Sequence, residues 1–405
     1  MASPVRVSDG AFAYHMAVMT RETQLVLALC RTPLSASGGQ RARDLITQGL
    51  DWDRVFITAE NFEVEPVFFS NLKSLSDTGL PGDVFERAAI RERDSRAFAL
   101  SRTLLLVDLY GKIAAGGIPL IVLKGPALGV MAYGGPSMRS YQDIDFLTTR
   151  EALPRGRDRL LSLGYSRDYE PASEASLISG DHALEFSGPG GKIELHCALV
   201  ERHLRLDLGE RELWRDAVTI KIAGVEVSVL DPSRLLLFLC AHGTKYEWSR
   251  VRWICDVAQV ANTLDSTQAH AVVALSRTAN ARRLLAIGLE LAKQMLIQDL
   301  SRFPSDVLTF GGDVHAIVDN VRTRLGLLET SREGKRERSW VERVDPGARS
   351  LLFWARSRER WVDRAASIAR VIFVPTDKDE GMGIFGWITR PLRLTARAAR
   401  RSVSA

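Results

Sequence analysis

Apolar and polar positions along the chain change period twice, and those changes divide it. From residue 11 to about 115 apolar residues recur at helical spacing with arginines and glutamates between them, clearest in Leu45–Leu50, Phe85–Arg102 and Leu104–Ala115. Ser35-Ala36-Ser37-Gly38-Gly39 and Asp77–Gly82 read as loops. Ile118–Leu123 is then a nearly continuous apolar run, as a buried strand requires. Strands are also predicted over Tyr165–Tyr169, Ala183–Ser187 and Lys192–Ala198, with a hairpin over Val218–Ile222 and Val225–Leu230. A helix over residues 151–163 ends at Gly164. From Asp231-Pro232, a cap followed by proline at the first helical position, the pattern is helical again through Leu235–His242 and Val251–Leu264. A charged run, Arg332–Arg338, reads as a solvated linker before an aromatic-rich helix over Leu351–Ile372. The expected organisation is a helical region over 1–115, an α/β core over 116–230, a helical domain over 231–330 and a further helical region over 331–405.

Within the core, Gln142-Asp143-Ile144-Asp145-Phe146 places two carboxylates on one strand face and two apolar side chains on the other. Ile193-Glu194-Leu195-His196 repeats the arrangement, with Glu194 and His196 sharing a face. If the strands are neighbours, Asp143, Asp145 and Glu194 converge with no basic residue expected on that face, a hard-oxygen site suited to Mg²⁺ or Mn²⁺. Upstream, the apolar strand runs into Lys124-Gly125-Pro126 and a short apolar helix. The unpaired amides of a helix N-terminus bind anions, and Lys124 adds a full positive charge. Carboxylates for metal beside a lysine and amide cradle point to a metal–triphosphate substrate.

These segments, in order, resemble the uncharacterised nucleotidyltransferase-like family of the DNA polymerase β superfamily. The resemblance rests on Leu123-Lys124-Gly125, Arg139 ahead of Asp143-Ile144-Asp145, Leu163-Gly164-Tyr165 and Glu194-Leu195-His196. Leu239–His242, Trp248, Arg252-Trp253, Asp256, Val374-Pro375-Thr376 and Arg390–Arg393 extend it over roughly 100 to 395. It implies an α+β fold, a small mixed sheet flanked by N- and C-terminal helical regions. It also implies that Asp143, Asp145 and Glu194 bind metal and carry catalysis. The expected reaction moves a nucleoside monophosphate from an NTP to an acceptor hydroxyl or phosphate and releases pyrophosphate. The acceptor is open among a small molecule, sugar, peptide, protein or tRNA. Better-studied superfamily members carry Gly-Ser at the turn where this chain has Lys124-Gly125-Pro126; a lysine there either supplies a point charge in place of the serine contact or marks a donor other than an ordinary nucleoside triphosphate.

Other roles follow from position. Lys124 and the Gly125 amide are expected on phosphate, with Arg139 as a second cation. Glu194 is either a metal ligand or the base for the acceptor hydroxyl, and His196 either orients a metal-bound water or acceptor or supports from behind. His242, Lys245 and Trp248 line an acceptor pocket or pack a helix end, and Arg252 with Asp256, four apart, reads as a helical ion pair. The rival reading is a non-catalytic nucleotide-binding or surface-interaction protein on the same scaffold.

The chain has 405 residues, 46% hydrophobic and 25% charged, ample for a core. Its formal charge of +5 does not by itself establish a nucleic-acid partner. The four cysteines lack paired spacing, so a reduced cytoplasmic setting is expected; a zinc site from His196, Cys197, Cys240, His242 and Cys255 requires them to cluster in space. Arginines along 384–401, interleaved with apolar residues, form a basic amphipathic tail suited to peripheral contact with an anionic membrane, or to a solvated helix end.

Overall fold

The computed structural model describes residues 19–75, 79–168, 183–200, 206–296, 298–307, 311–329, 353 and 355–373. The Arg332–Arg338 run, Val374-Pro375-Thr376 and the 384–401 tail lie outside them.

Four helices open the described chain: α1 (Arg21–Leu29), α2 (Ala36–Thr47), α3 (Trp52–Phe62) and α4 (Glu65–Ser74). The expected loop at Ser35–Gly39 is instead the first turn of α2. Ser35 is its N-cap, with Oγ accepting from the Gly38 amide at 3.1 Å. A Cβ on Gly38 would sit 3.0 Å from the Ala28 carbonyl oxygen, so glycine lets α2 approach α1 closely. What composition suggested as loop flexibility is helix contact.

The two expected segments at 85–102 and 104–115 are one helix, α5 (Gly82–Ala114). Val84 and Ala88 near its start belong to the larger hydrophobic core; Leu106, Leu109 and Ile113 near its end belong to a second core behind the sheet. Helix α6 (Gly125–Ala132) follows β1, and α7 (Leu153–Ser162) follows β2 and stops at Leu163 before Gly164, whose φ is +86°. After the short α8 (Glu210–Arg215) come α9 (Pro232–Lys245), α10 (Val251–Thr263), α11 (Ser266–Thr278), α12 (Arg282–Leu296), α13 (Gly312–Glu329) and α14 (Trp361–Phe373). The helix expected over 351–372 is interrupted at Arg358–Arg360.

Seven strands form one mixed sheet: β1 (Ile121–Val122), β2 (Asp143–Leu147), β3 (Ser166–Arg167), β4 (Ala183–Gly188), β5 (Gly191–His196), β6 (Val218–Ile222) and β7 (Val225–Val229). Their order is β3-β4-β5-β2-β1-β7-β6. Strands β2 and β5 are parallel neighbours with Asp143 opposite Lys192, Asp145 opposite Glu194 and Leu147 opposite His196. Only two residues of the 118–123 run join the ladder, although Ile118, Leu120 and Leu123 are buried around them. Ile144, Phe146, Ile193 and Leu195 pack into the second core, which leaves the acidic face of β2 and β5 turned the other way.

Three segments are fastened by one buried polar node. Arg139 donates from Nε and Nη2 to Asp256 on α10 at 2.7 and 2.8 Å, and Tyr133 at the end of α6 donates to the same carboxylate at 2.7 Å. All three are nearly inaccessible to solvent. The expected Arg252–Asp256 helical pair therefore does not form. Arg252 reaches the Ser140 carbonyl at 2.8 Å and Glu63 at 3.2 Å, because Asp256 points inward, where a bidentate guanidinium satisfies both of its oxygens. Among the described residues no helix is long and apolar enough to cross a membrane.

Removing one partner of such a pair leaves a buried charge uncompensated. Asp256→Ala is expected to cost about 3–5 kcal/mol in urea unfolding. Replacing both partners with apolar residues, Arg139→Met with Asp256→Leu, is expected to recover most of that loss. Equal stability of the single and double variants would contradict this account of the node.

Candidate active site

Strand alternation and parallel register bring the expected carboxylates to one patch. Asp145, Glu194 and His196 each present one donor atom within 4.8 Å of the others, a grouping able to hold a metal ion. Asp143 stands two residues before Asp145 on the same face. Its own carboxyl is not in that tight group but is close enough that burial, and then the Asp145 charge, raise its pKa. Asp145 is only 2% exposed, whereas Asp143 and Glu194 are partly open.

The patch is not bare of cations, contrary to the expectation from β2 and β5. Lys192 lies on the acidic face opposite Asp143, although its ammonium is drawn 3.5 Å from Asp168. Lys124 reaches in from the end of β1, with Nζ 3.3 Å from Asp145 Oδ1. The Nε2 of His196 lies 3.3 Å from Asp145 and 3.1 Å from Glu194. Burial opposes ionisation of Asp145, but Lys124 and His196 outweigh it and hold its pKa low. Glu194 is lowered foremost by the hydrogen bond from His196. Burial disfavours the charged imidazole, yet the two carboxylates overcome it and raise the pKa of His196. A doubly anionic cluster is thus balanced by one ammonium and one imidazole.

Gly125 turns the chain from β1 into α6 with φ at +58°, a conformation natural to glycine, and the site it would give a Cβ faces the Asp143 carbonyl at 3.6 Å. The lysine–glycine turn therefore abuts β2 itself. Arg139 is placed elsewhere than expected: its guanidinium is spent on Asp256 and is not free for phosphate.

His242, within electrostatic reach of Lys124 and Asp145, makes edge contacts to Tyr246 at 4.9 Å and Trp253 at 5.7 Å. Burial, then Lys124, push the pKa of His242 down and keep it neutral. Trp248 is fully buried, with a ring that the missing side chain of Gly243 makes room for, so it packs the helix end and does not line a pocket. The cysteines are buried and form no disulfide, and none enters a metal-compatible group among the described residues, so the zinc grouping does not assemble.

At the N-terminal end of β2 and β5 the acidic face opens into a cleft of about 580 Å³ between α5, the start of α4 and the segment before β2. Glu65, Phe98, Arg102, Tyr141 and Lys192 are among its walls. Sequence reading passed over Glu65 and Arg102 because each lies in an ordinary helical charge pattern.

The chain belongs to the family described as "Uncharacterised nucleotidyltransferase", whose model matches residues 48–296, more than half its length. Two solved structures are similar in part. One is titled "Solution Structure of Antibiotic-Resistance Factor ANT(2'')-Ia Reveals Substrate-Regulated Conformation Dynamics", at 16% identity and TM-score 0.32, covering 42% of this chain and 91% of that one. The other is a nucleotidyltransferase-like antigenic protein from Paracoccidioides brasiliensis, at 15% identity and TM-score 0.30, covering 51% and 96%. No curated protein matches.

Burial, ahead of any charge, pushes Glu65 from 4.5 up to about 7. The folded protein thus holds that proton more tightly than the unfolded chain, and the stability it confers is full below pH 4.5 and lost as pH rises through about 7. Glu65→Gln is expected to remove this loss, melting higher than the parent at pH 8 and close to it at pH 4. A parent-minus-variant difference independent of pH would contradict the assignment.

Proposed function

We propose that the protein is a metal-dependent nucleotidyltransferase, moving a nucleoside monophosphate from an NTP to an acceptor hydroxyl or phosphate with release of pyrophosphate. The observation that carries this reading is the pairing of Asp145 with Glu194 across parallel strands, beside the Lys124-Gly125 turn, in a chain of a nucleotidyltransferase family. The donor set fits a hard divalent cation: two carboxylates converge, a third stands next on the strand, and the imidazole between them is a hydrogen-bonding neighbour that orients their oxygens. Mg²⁺ or Mn²⁺ held by Asp143, Asp145 and Glu194 would neutralise phosphate charge and acidify the acceptor hydroxyl.

The chain's own groups do the rest. Lys124, released from Asp145, and the Gly125 amide hold the β- and γ-phosphates of the donor. Glu194, the more open carboxylate of the close pair, accepts the proton from the acceptor hydroxyl where it does not itself join the two aspartates as a metal ligand. The acceptor oxygen bonds to the α-phosphorus as the bond from that phosphorus to pyrophosphate breaks. His196 keeps Asp145 and Glu194 in register with each other. Arg139 has no part on phosphate and serves by fixing the approach to β2.

A second reading has its own support. The cluster is already balanced by Lys124 and His196 without a metal, as suits a non-catalytic nucleotide-binding module.

Incubation with each α-labelled triphosphate, Mg²⁺ or Mn²⁺ and a panel of acceptors separates the two. Label transfer is expected in the parent. In Asp143→Asn with Asp145→Asn it should fall by at least about a hundredfold, since even outer-shell changes at metal sites cost 10–100-fold. Mn²⁺ binding followed by electron paramagnetic resonance should weaken in parallel. Unchanged transfer in the double variant rules out the site, and nucleotide binding without transfer favours the second reading.

A further inference from the structure

The cleft at the N-terminal end of β2 and β5 carries two ionisable side chains with polar atoms left unpaired among the described residues. Its other ionic walls are engaged: Asp94 with Arg93, Arg139 with Asp256 and Lys192 with Asp168. Arg102 and the Oε2 atom of Glu65 are not. Among the described residues Arg102 makes no hydrogen bond or ion pair; its Nε and Nη1 are shielded from solvent and unpaired, and its guanidinium lies over the Phe98 ring at 5.0 Å. The absence of a side chain at Gly191 leaves the space that the guanidinium occupies, since a Cβ there would sit 1.9 Å from Arg102 Nη1. Glu65 Oε2 is likewise buried without a hydrogen-bond partner. A buried polar atom left unpaired carries an uncompensated desolvation cost, so a ligand that pairs both gains by relieving the protein.

The cleft also adjoins the chemistry. Gln142 in its wall directly precedes Asp143, and Lys192 is the register partner of Asp143. Its volume falls within the range of small-molecule sites, and Phe98, 43% exposed, offers an apolar wall.

We propose that this cleft is the acceptor site, and that the acceptor is a hydroxyl-bearing zwitterion of about dipeptide size. Its anionic group pairs with Arg102, its ammonium with Glu65, and its apolar body lies along Phe98. This rests on the nucleotidyl-transfer reading for its role, but binding can be measured alone. The tendency of Glu65 to hold a proton when empty agrees with a carboxyl awaiting a cation.

The probe is seryl-leucine, titrated into the full-length protein without nucleotide and followed by calorimetry. N-acetyl-seryl-leucine lacks the cation and seryl-leucinamide lacks the anion, so the comparison needs no variant. Seryl-leucine is expected to bind at least tenfold more tightly than either. In Glu65→Gln the preference over the acetylated probe should vanish while the preference over the amide stays. Arg102→Gln should show the converse. Equal binding of the three probes, no binding of any, or preferences that survive in both variants would overturn the proposal. Zwitterion-selective binding in a protein that transfers no label would uphold the cleft and remove the nucleotidyl reading. Label transfer to hydroxyl compounds with no zwitterion selectivity would do the reverse.

Discussion

The bidentate contact between Arg139 and Asp256 is the constraint on which the placement of the site depends. Arg139 sits just ahead of β2, Asp256 lies on α10, and Tyr133 closes α6, the helix that starts at the lysine–glycine turn. One carboxylate therefore sets the mutual position of α6, the acidic strand and the helical wall. A buried ion pair is seldom a large net source of stability against an apolar alternative. Its value here is directional, since guanidinium and carboxylate meet in one geometry while hydrophobic contacts tolerate many.

A second constraint is electrostatic. Asp145 is nearly inaccessible and remains ionised only because Lys124 and His196 stand beside it. Two buried like charges without such neighbours would take up a proton or separate. The ammonium of Lys124 and the imidazole of His196 thus answer the same buried carboxylate from two sides.

Much of this was legible in the sequence. The alternation of Asp143, Ile144, Asp145 and Phe146, and that of Ile193 to His196, gave the strand faces, and the apolar halves demanded a common core. The hairpin at 218–229 and the helix opening at Asp231-Pro232 were equally readable, because turn and capping chemistry are local. Failures came where distant residues decide. Arg139 and Asp256 are 117 positions apart, and nothing near either distinguishes a phosphate contact or an i,i+4 pair from a long-range node. Gly38 and Gly39 looked like a loop because glycine's use in close helix packing is invisible without the neighbouring helix. Glu65 and Arg102 were hidden for the same reason: an unpaired charge is recognisable only once every potential partner has been placed.

The long helix α5 has a thermodynamic corollary. Its opening turns are anchored in one apolar nucleus through Val84 and Ala88, and its closing turns in another through Leu106, Leu109 and Ile113. One continuous helix thus lends side chains to both bodies of hydrophobic packing, so a substitution that breaks it midway, where nucleating a new helix is costly, weakens the hold of each on the other.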